Sequence, residues 1–157
     1  MMKRFLKNER GLTLIELLAV VVILGIIAAI AITAIGAIID NSKKDAHIAN
    51  AQQMVSATRL AVSSDPSIAG TSGTDTDGKT TVTIEFTMKQ LNDNGYLERI
   101  PKSPGNKGPY DQDKSKVVLT KKGNTRTYKV TLVGSNNFKY VDDVNIDALT
   151  RDEVEIE

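Results

Sequence analysis

Between Arg10 and Asp40 the chain carries one ionisable side chain, Glu16, and from Leu17 to Ile39 it runs 23 residues without a charge. A helix of that length rises about 1.5 Å per residue, roughly 35 Å in all, enough to cross the hydrocarbon layer of a bilayer. Only Gly25, Thr33 and Gly36 interrupt the Leu, Ala, Val and Ile of the run. A helix hydrophobic on every face needs lipid or a bundle of like helices around it. Ala19, Gly25, Ala28, Ala29, Ala31, Ala34 and Gly36 are small enough to let such helices approach closely. An acid at the head of the run is a functional suspect, because a charge near the middle of a membrane costs on the order of 2.5–3.5 kcal/mol on insertion scales, less near an interface.

Ahead of the run stands a basic segment, Met1 to Gly11, with Lys3, Arg4, Lys7 and Arg10 against Glu9. The excess of positive charge places this end on the cytoplasmic side and the C-terminus outside. An ordinary secretory signal is a poor fit. Its apolar region spans 7–15 residues, and the small-residue cleavage candidate here, Ala29-Ile30-Ala31, lies inside the run instead of after it. A plain membrane anchor leaves Gly11 and Glu16 without a purpose.

The junction Arg10-Gly11-Leu12-Thr13-Leu14-Ile15-Glu16, followed by the spanning run, resembles the processing site of type IV pilins and the pseudopilins of type II secretion and competence systems. The resemblance covers about the first third of the chain. It implies cleavage by a prepilin peptidase between Gly11 and Leu12, N-methylation of Leu12 as the first mature residue, and a role for Glu16, the fifth, in assembly. Gly25 falls where many members carry a glycine. The proline that many pilins have near Thr33, and the aromatic after it, are missing. The implied fold is α+β, the type IV pilin fold: a long N-terminal helix, hydrophobic stem then amphipathic upper half, packed on a small antiparallel sheet. The domains expected are a leader (1–11), a filament-core or transmembrane helix (12–39) and a head with an acidic tail (40–157). Implied partners are further copies of the chain in a filament, the prepilin peptidase, an assembly ATPase, an inner-membrane platform protein and the membrane itself.

Absence of cysteine removes disulfides, thiolate metal sites, a Cys nucleophile and lipoprotein anchoring together. Many Gram-negative pilins close their C-terminal region with a disulfide, so here that region is absent or held another way, which fits a Gram-positive source. A near-neutral total hides asymmetry: Lys79 to Lys139 holds twelve Lys/Arg against five Asp/Glu, and Asp142 to Glu157 seven acids against Arg151. Opposite regions of this kind attract within one head or between neighbours, weakly and subject to screening, or simply confer solubility. The basic region lacks the compact Lys/Arg cluster that would indicate nucleic acid.

Beyond Asp40 the helix continues with Ile48, Ala51, Val55 and Val62 at helical spacing, supported by Met54, Ala57 and Leu60. His47, the sole histidine, reads as an exposed helix residue with no second imidazole to share a metal. Ser63 to Lys79 reads as a flexible surface loop; Asp75 and Asp77 hint at calcium but lack the spacing of a calcium-binding loop. Val82 to Phe86 alternates as a strand, Thr87 to Gln90 forms a capping box opening a short helix through Asn94, and Gly95 stops it. The proline- and glycine-rich stretch Ile100 to Tyr110 reads as ordered coil. Val117 to Thr120 and Thr127 to Val133 form a hairpin around Lys122-Gly123-Asn124, and Gly134 to Asn137 turns into a third strand, Phe138 to Val141. The acidic tail adds a turn near Ile146 to Leu149 and then frays. Six aromatics, Phe86, Tyr96, Tyr110, Tyr128, Phe138 and Tyr140, are assigned to a core between sheet and helix. Gly95 to Tyr110 is similar to the loop that binds calcium in major pseudopilins, which makes Asp111 and Asp113 the metal candidates.

No nucleophile–base–acid set, phosphate-binding loop or paired histidine exists, so the chain reads as a substrate of enzymes, without cofactor. Three functions remain: a type IV pilus subunit serving adhesion, twitching motility or DNA uptake; a pseudopilin; or a single-pass membrane protein with a ligand-binding head.

Overall fold

The computed structural model describes residues 13–65, 70–74, 80–104 and 108–156. Its elements are α1 (Leu14–Ser64), β1 (Thr71–Thr74), β2 (Thr80–Thr87), α2 (Met88–Asp93), β3 (Lys116–Lys122), β4 (Thr125–Val133) and β5 (Lys139–Asn145), then two 3-10 turns, Ile146–Ala148 and Arg151–Glu153. The architecture is α+β, one long N-terminal helix followed by a five-stranded antiparallel sheet. Two compact units divide the chain, Met1–Ile39 and Asp40–Glu157.

In the first unit α1 is long and apolar enough to cross a membrane, and none of its most apolar 18-residue window is buried inside the molecule. A soluble core helix would be covered there. Thr33 resolves its polarity locally, its hydroxyl donating to the Ile30 carbonyl at 2.9 Å.

In the second unit the sheet is a plain meander, with strand order following chain order. Short connections join β3 to β4 and β4 to β5, whereas β2 reaches β3 through α2 and the segment that follows it. The β3–β4 hairpin closes Lys122 against Thr125, leaving Gly123 and Asn124 as the turn. Gly123 has φ +59°, the left-handed geometry for which such a turn takes glycine. Thr87 caps α2 in a full capping box: its hydroxyl accepts from the Gln90 backbone at 3.1 Å while Gln90 Oε1 accepts from the Thr87 backbone at 3.0 Å.

The core lies between one face of this sheet and the α1 residues His47, Ala51, Met54, Val55, Ala57, Thr58 and Ala61, all buried. Small alanines at 51, 57 and 61 leave room for Leu91, Leu97, Leu119, Leu132 and Tyr140. Thr58 is tolerated because its hydroxyl donates back to the Met54 carbonyl at 2.9 Å. Phe86, Tyr110, Tyr128 and Tyr140 are buried, with Tyr96 and Phe138 partly so, as their assignment to the core requires.

Four expectations are corrected. The supposed loop after α1 contains β1, a polar strand paired with β2 in the register Thr71↔Thr83. Its composition of Thr, Ser and Gly hid it, and Gly70 reveals the closeness of the pairing, since a Cβ there would meet the Thr83 carbonyl at 2.5 Å. Asp75 and Asp77 lie outside the described residues. Leu60 does not join the core and is 53% exposed. His47 is fully buried instead of exposed. The tail does not fray after its first turn: Val154 is buried, the Glu155 amide donates to the Tyr140 carbonyl at 2.9 Å, and Arg151 places two nitrogens on the Asp45 carboxylate, each at 2.7 Å. Lys44 adds a bond from its ammonium to the Arg151 carbonyl at 2.9 Å. This strap holds the C-terminal segment without a disulfide.

Opposite charges also meet inside the head, where Lys129 reaches Asp143 at 2.6 Å and Lys139 reaches Asp142 at 2.7 Å. Both acids sit at a β-bulge opposite Thr131, where Asp143 takes φ +53°. The pairs are exposed and contribute little to stability.

Candidate functional site

The N-terminal site begins at Thr13, the residue before α1. The Thr13 hydroxyl accepts from the Glu16 backbone at 3.3 Å, and Glu16 Oε2 accepts from the Thr13 backbone at 2.8 Å and from its hydroxyl at 2.9 Å. These contacts are the Thr-x-x-Glu capping box, which satisfies amides that a helix start leaves orphaned. Its signal, a threonine three residues before the acid, was present in the sequence and was missed, although the same motif was read correctly at Thr87. A negative side chain in the first turn also suits the helix macrodipole. Glu16 is thus oriented by its own helix. Gly11 and Leu12 lie outside the described residues.

Asp111, one of the two metal candidates, is engaged within its own loop. Asp111 Oδ1 accepts from the backbones of Asp113 and Lys114, both at 3.1 Å, and Oδ2 lies 3.2 Å from the Lys114 ammonium. Its side chain closes a turn. Burial pushes the Asp111 pKa up, but the hydrogen bonds from Lys114 and Asp113 and the Lys114 charge outweigh it and hold the carboxyl below its ordinary range. Among the described residues no three His, Cys, Asp or Glu side chains converge as ligands.

A second constellation was not foreseen. His47 Nδ1 lies 2.6 Å from the Tyr110 hydroxyl, and Asn50 Nδ2 lies 3.0 Å from the same oxygen and 3.0 Å from the Lys102 carbonyl. The His47 ring stacks on Tyr140 with centroids 4.1 Å apart, and Tyr110 meets both rings edge-on. Burial without a countercharge pushes the His47 pKa down to about 4. The spacing of 47, 51, 54, 58 and 61 on one helix face was the signal that could have found it. The lack of a second imidazole to share a metal argued for the surface.

What these features define is a class: an α+β protein whose first helix is membrane-competent and opens on an acid locked into its cap. Residues 6–32, spanning Gly11, Leu12 and Glu16, match the family model described as the prokaryotic N-terminal methylation motif. No curated protein and no solved structure matches the chain. The chain carries that motif on an α+β, pilin-like architecture; the motif supports a precursor of the type IV pilin or pseudopilin type, and the apolar helix fits membrane anchoring.

Proposed function

We propose that the chain is a structural subunit of a type IV pilus. It waits in the cytoplasmic membrane with its basic end inside, is cleaved between Gly11 and Leu12, is methylated on Leu12, and is then drawn into a helical filament with the apolar helices inside and the heads outward. The observation that carries this reading is the Glu16 carboxylate fixed on Thr13 at the head of an apolar helix that the molecule itself leaves uncovered. Leu12 immediately precedes Thr13, so cleavage after Gly11 creates a cation one residue from the group that holds Glu16. In a packed filament each of these charges alone is costly to bury, and pairing Glu16 with the Leu12 amine of a neighbour offsets that cost. A subunit inserted one step out of register would leave both unpaired.

The test is the intact mass and N-terminal sequence of the protein isolated from cells, together with electron microscopy of the surface. The expected species begins at a methylated Leu12 and forms long fibres. A chain that still begins at Met1 overturns the reading. A processed chain without surface fibres assigns it to a pseudopilus instead. Gly11→Val is expected to leave an unprocessed, membrane-retained precursor, because a β-branched side chain obstructs the close backbone approach a protease needs.

A further inference from the structure

The buried histidine has a defined protonation state that follows from its neighbours. Asn50 donates one amide hydrogen to the Lys102 carbonyl and one to the Tyr110 oxygen. With that oxygen acting as acceptor, the Tyr110 hydroxyl hydrogen is directed at His47 Nδ1, 2.6 Å away. His47 is therefore neutral, with its hydrogen on Nε2, an atom that is buried and has no hydrogen-bond partner among the described residues. A second proton has to enter at Nδ1, where it meets the hydrogen of Tyr110. The hydroxyl then faces two donors and must turn its own hydrogen away.

Around this ring three segments come together. Tyr110 belongs to the segment before β3, and the amide of Ser135 donates to the neighbouring Pro109 carbonyl. Tyr140 belongs to β5, and its carbonyl holds the strap through Glu155. Asn50 and His47 belong to α1. The titratable and charged groups nearest the ring along these elements include Lys43, Lys44 and Asp45 on α1, Lys102 whose carbonyl binds Asn50, Asp111 beside Tyr110, Lys139, Asp142 and Asp143 on β5, and Arg151, Asp152, Glu153 and Glu155 on the strap. Asp45 is already engaged by Arg151, and Asp111 by Lys114. Among the described residues no carboxylate hydrogen-bonds the imidazole to stabilise its charge, and the face of Tyr140 is what it stacks on.

We propose that His47, Tyr110 and Tyr140 form an acid-sensitive latch: protonation of His47 releases the Tyr110 segment and the C-terminal strap from α1 while the β2–β3 ladder stays folded. The direction follows from linkage. A released histidine titrates near 6.5 and the latched one near 4. Above pH 6.5 neither state takes up the proton and the latch has its full stability. As pH falls from 6.5 to 4 only the open state binds it, so the opening equilibrium rises tenfold per unit, roughly 300-fold across the window. Below 4 both states are protonated and the loss is complete.

Amide hydrogen exchange of the full chain in detergent micelles, referenced to intrinsic rates at each pH, tests this. The amides of Asp111, Ser135 and Glu155 are expected to lose protection by up to about 300-fold between pH 7 and pH 4, with the β2–β3 ladder unchanged. In His47→Gln the same three amides are expected to lose their pH dependence. Loss of protection over the same range in His47→Gln assigns it to carboxylates and overturns the latch, as does uniform loss across the sheet. Should His47→Gln fail to fold, the imidazole shifts of the unaltered chain decide. Titration near 4 with simultaneous loss of protection supports the latch, and titration near 6.5 overturns it.

Discussion

Tyr110 and Tyr140 give a comparison in which one atom is removed from each of two similarly buried rings, with opposite expected outcomes. Both rings are within about 2% of complete burial. In the tautomer inferred above the Tyr110 hydroxyl donates to His47 and accepts from Asn50, whereas among the described residues the Tyr140 hydroxyl has no partner. In Tyr110→Phe, His47 Nδ1 becomes a buried acceptor without a donor, which costs about 1–3 kcal/mol. Asn50 keeps Lys102 and is only partly buried, so its loss adds about 0.5 kcal/mol. The sum is about 1.5–3.5 kcal/mol, or on the order of 10 °C in Tm for a unit of this size. In Tyr140→Phe a buried hydroxyl that makes no bond is removed, and stability is expected to stay level or rise by up to about 1 kcal/mol. The assay is urea unfolding of the full chain in micelles followed by tyrosine fluorescence. All four tyrosines lie beyond residue 95, so the signal reports on the second unit. A Tyr110→Phe cost below about 0.5 kcal/mol, or an equal cost for both variants, refutes the hydrogen-bond accounting.

Two further substitutions test the fold. Thr87→Ala removes the α2 cap and is expected to cost about 1 kcal/mol in the same assay, with Thr87→Ser restoring most of it. Leu60→Ser is expected to change stability by less than about 0.5 kcal/mol because that side chain stands half in solvent, whereas Leu132→Ala, fully buried, is expected to cost about 2–5 kcal/mol.

Local patterns carried most of the fold in the sequence. The apolar run, the capping box at Thr87 and the hairpin at Gly123 are each specified by residues within a few positions of one another, and each stands where the pattern put it. Long-range partners decided the rest. Thr71 to Thr74 has no hydrophobic alternation of its own and is a strand only because β2 lies beside it. The strap is held by Asp45 and Tyr140, respectively 106 and 15 residues from the groups that bond them, and an acidic run gives no sign of such partners. His47 was misplaced because it was weighed only as a metal ligand lacking a partner, while the buried face it belongs to was readable from its period. Glu16 was singled out for its isolation between Arg10 and Asp40, and the threonine that orients it went unread.

That threonine makes the role of Glu16 separable into two parts. The carboxylate caps α1 through Thr13, a contact that a neutral amide side chain also makes, and it carries the charge proposed to pair with the Leu12 amine of a neighbour. Glu16→Gln keeps the first and removes the second. Thr13→Ala weakens the first and keeps the second, at a cost of about 1 kcal/mol to the helix start. If intersubunit pairing is what sets register, Glu16→Gln loses filaments nearly as completely as Glu16→Ala, and Thr13→Ala still assembles at reduced yield. If capping alone is the purpose of the acid, Glu16→Gln assembles normally and Thr13→Ala shares the defect of Glu16→Ala. Sheared filament yield per cell, with processing checked by intact mass in each variant, distinguishes the two. Normal filaments from Glu16→Gln would show that the charge has no part in assembly, since the cap is the one function that substitution preserves.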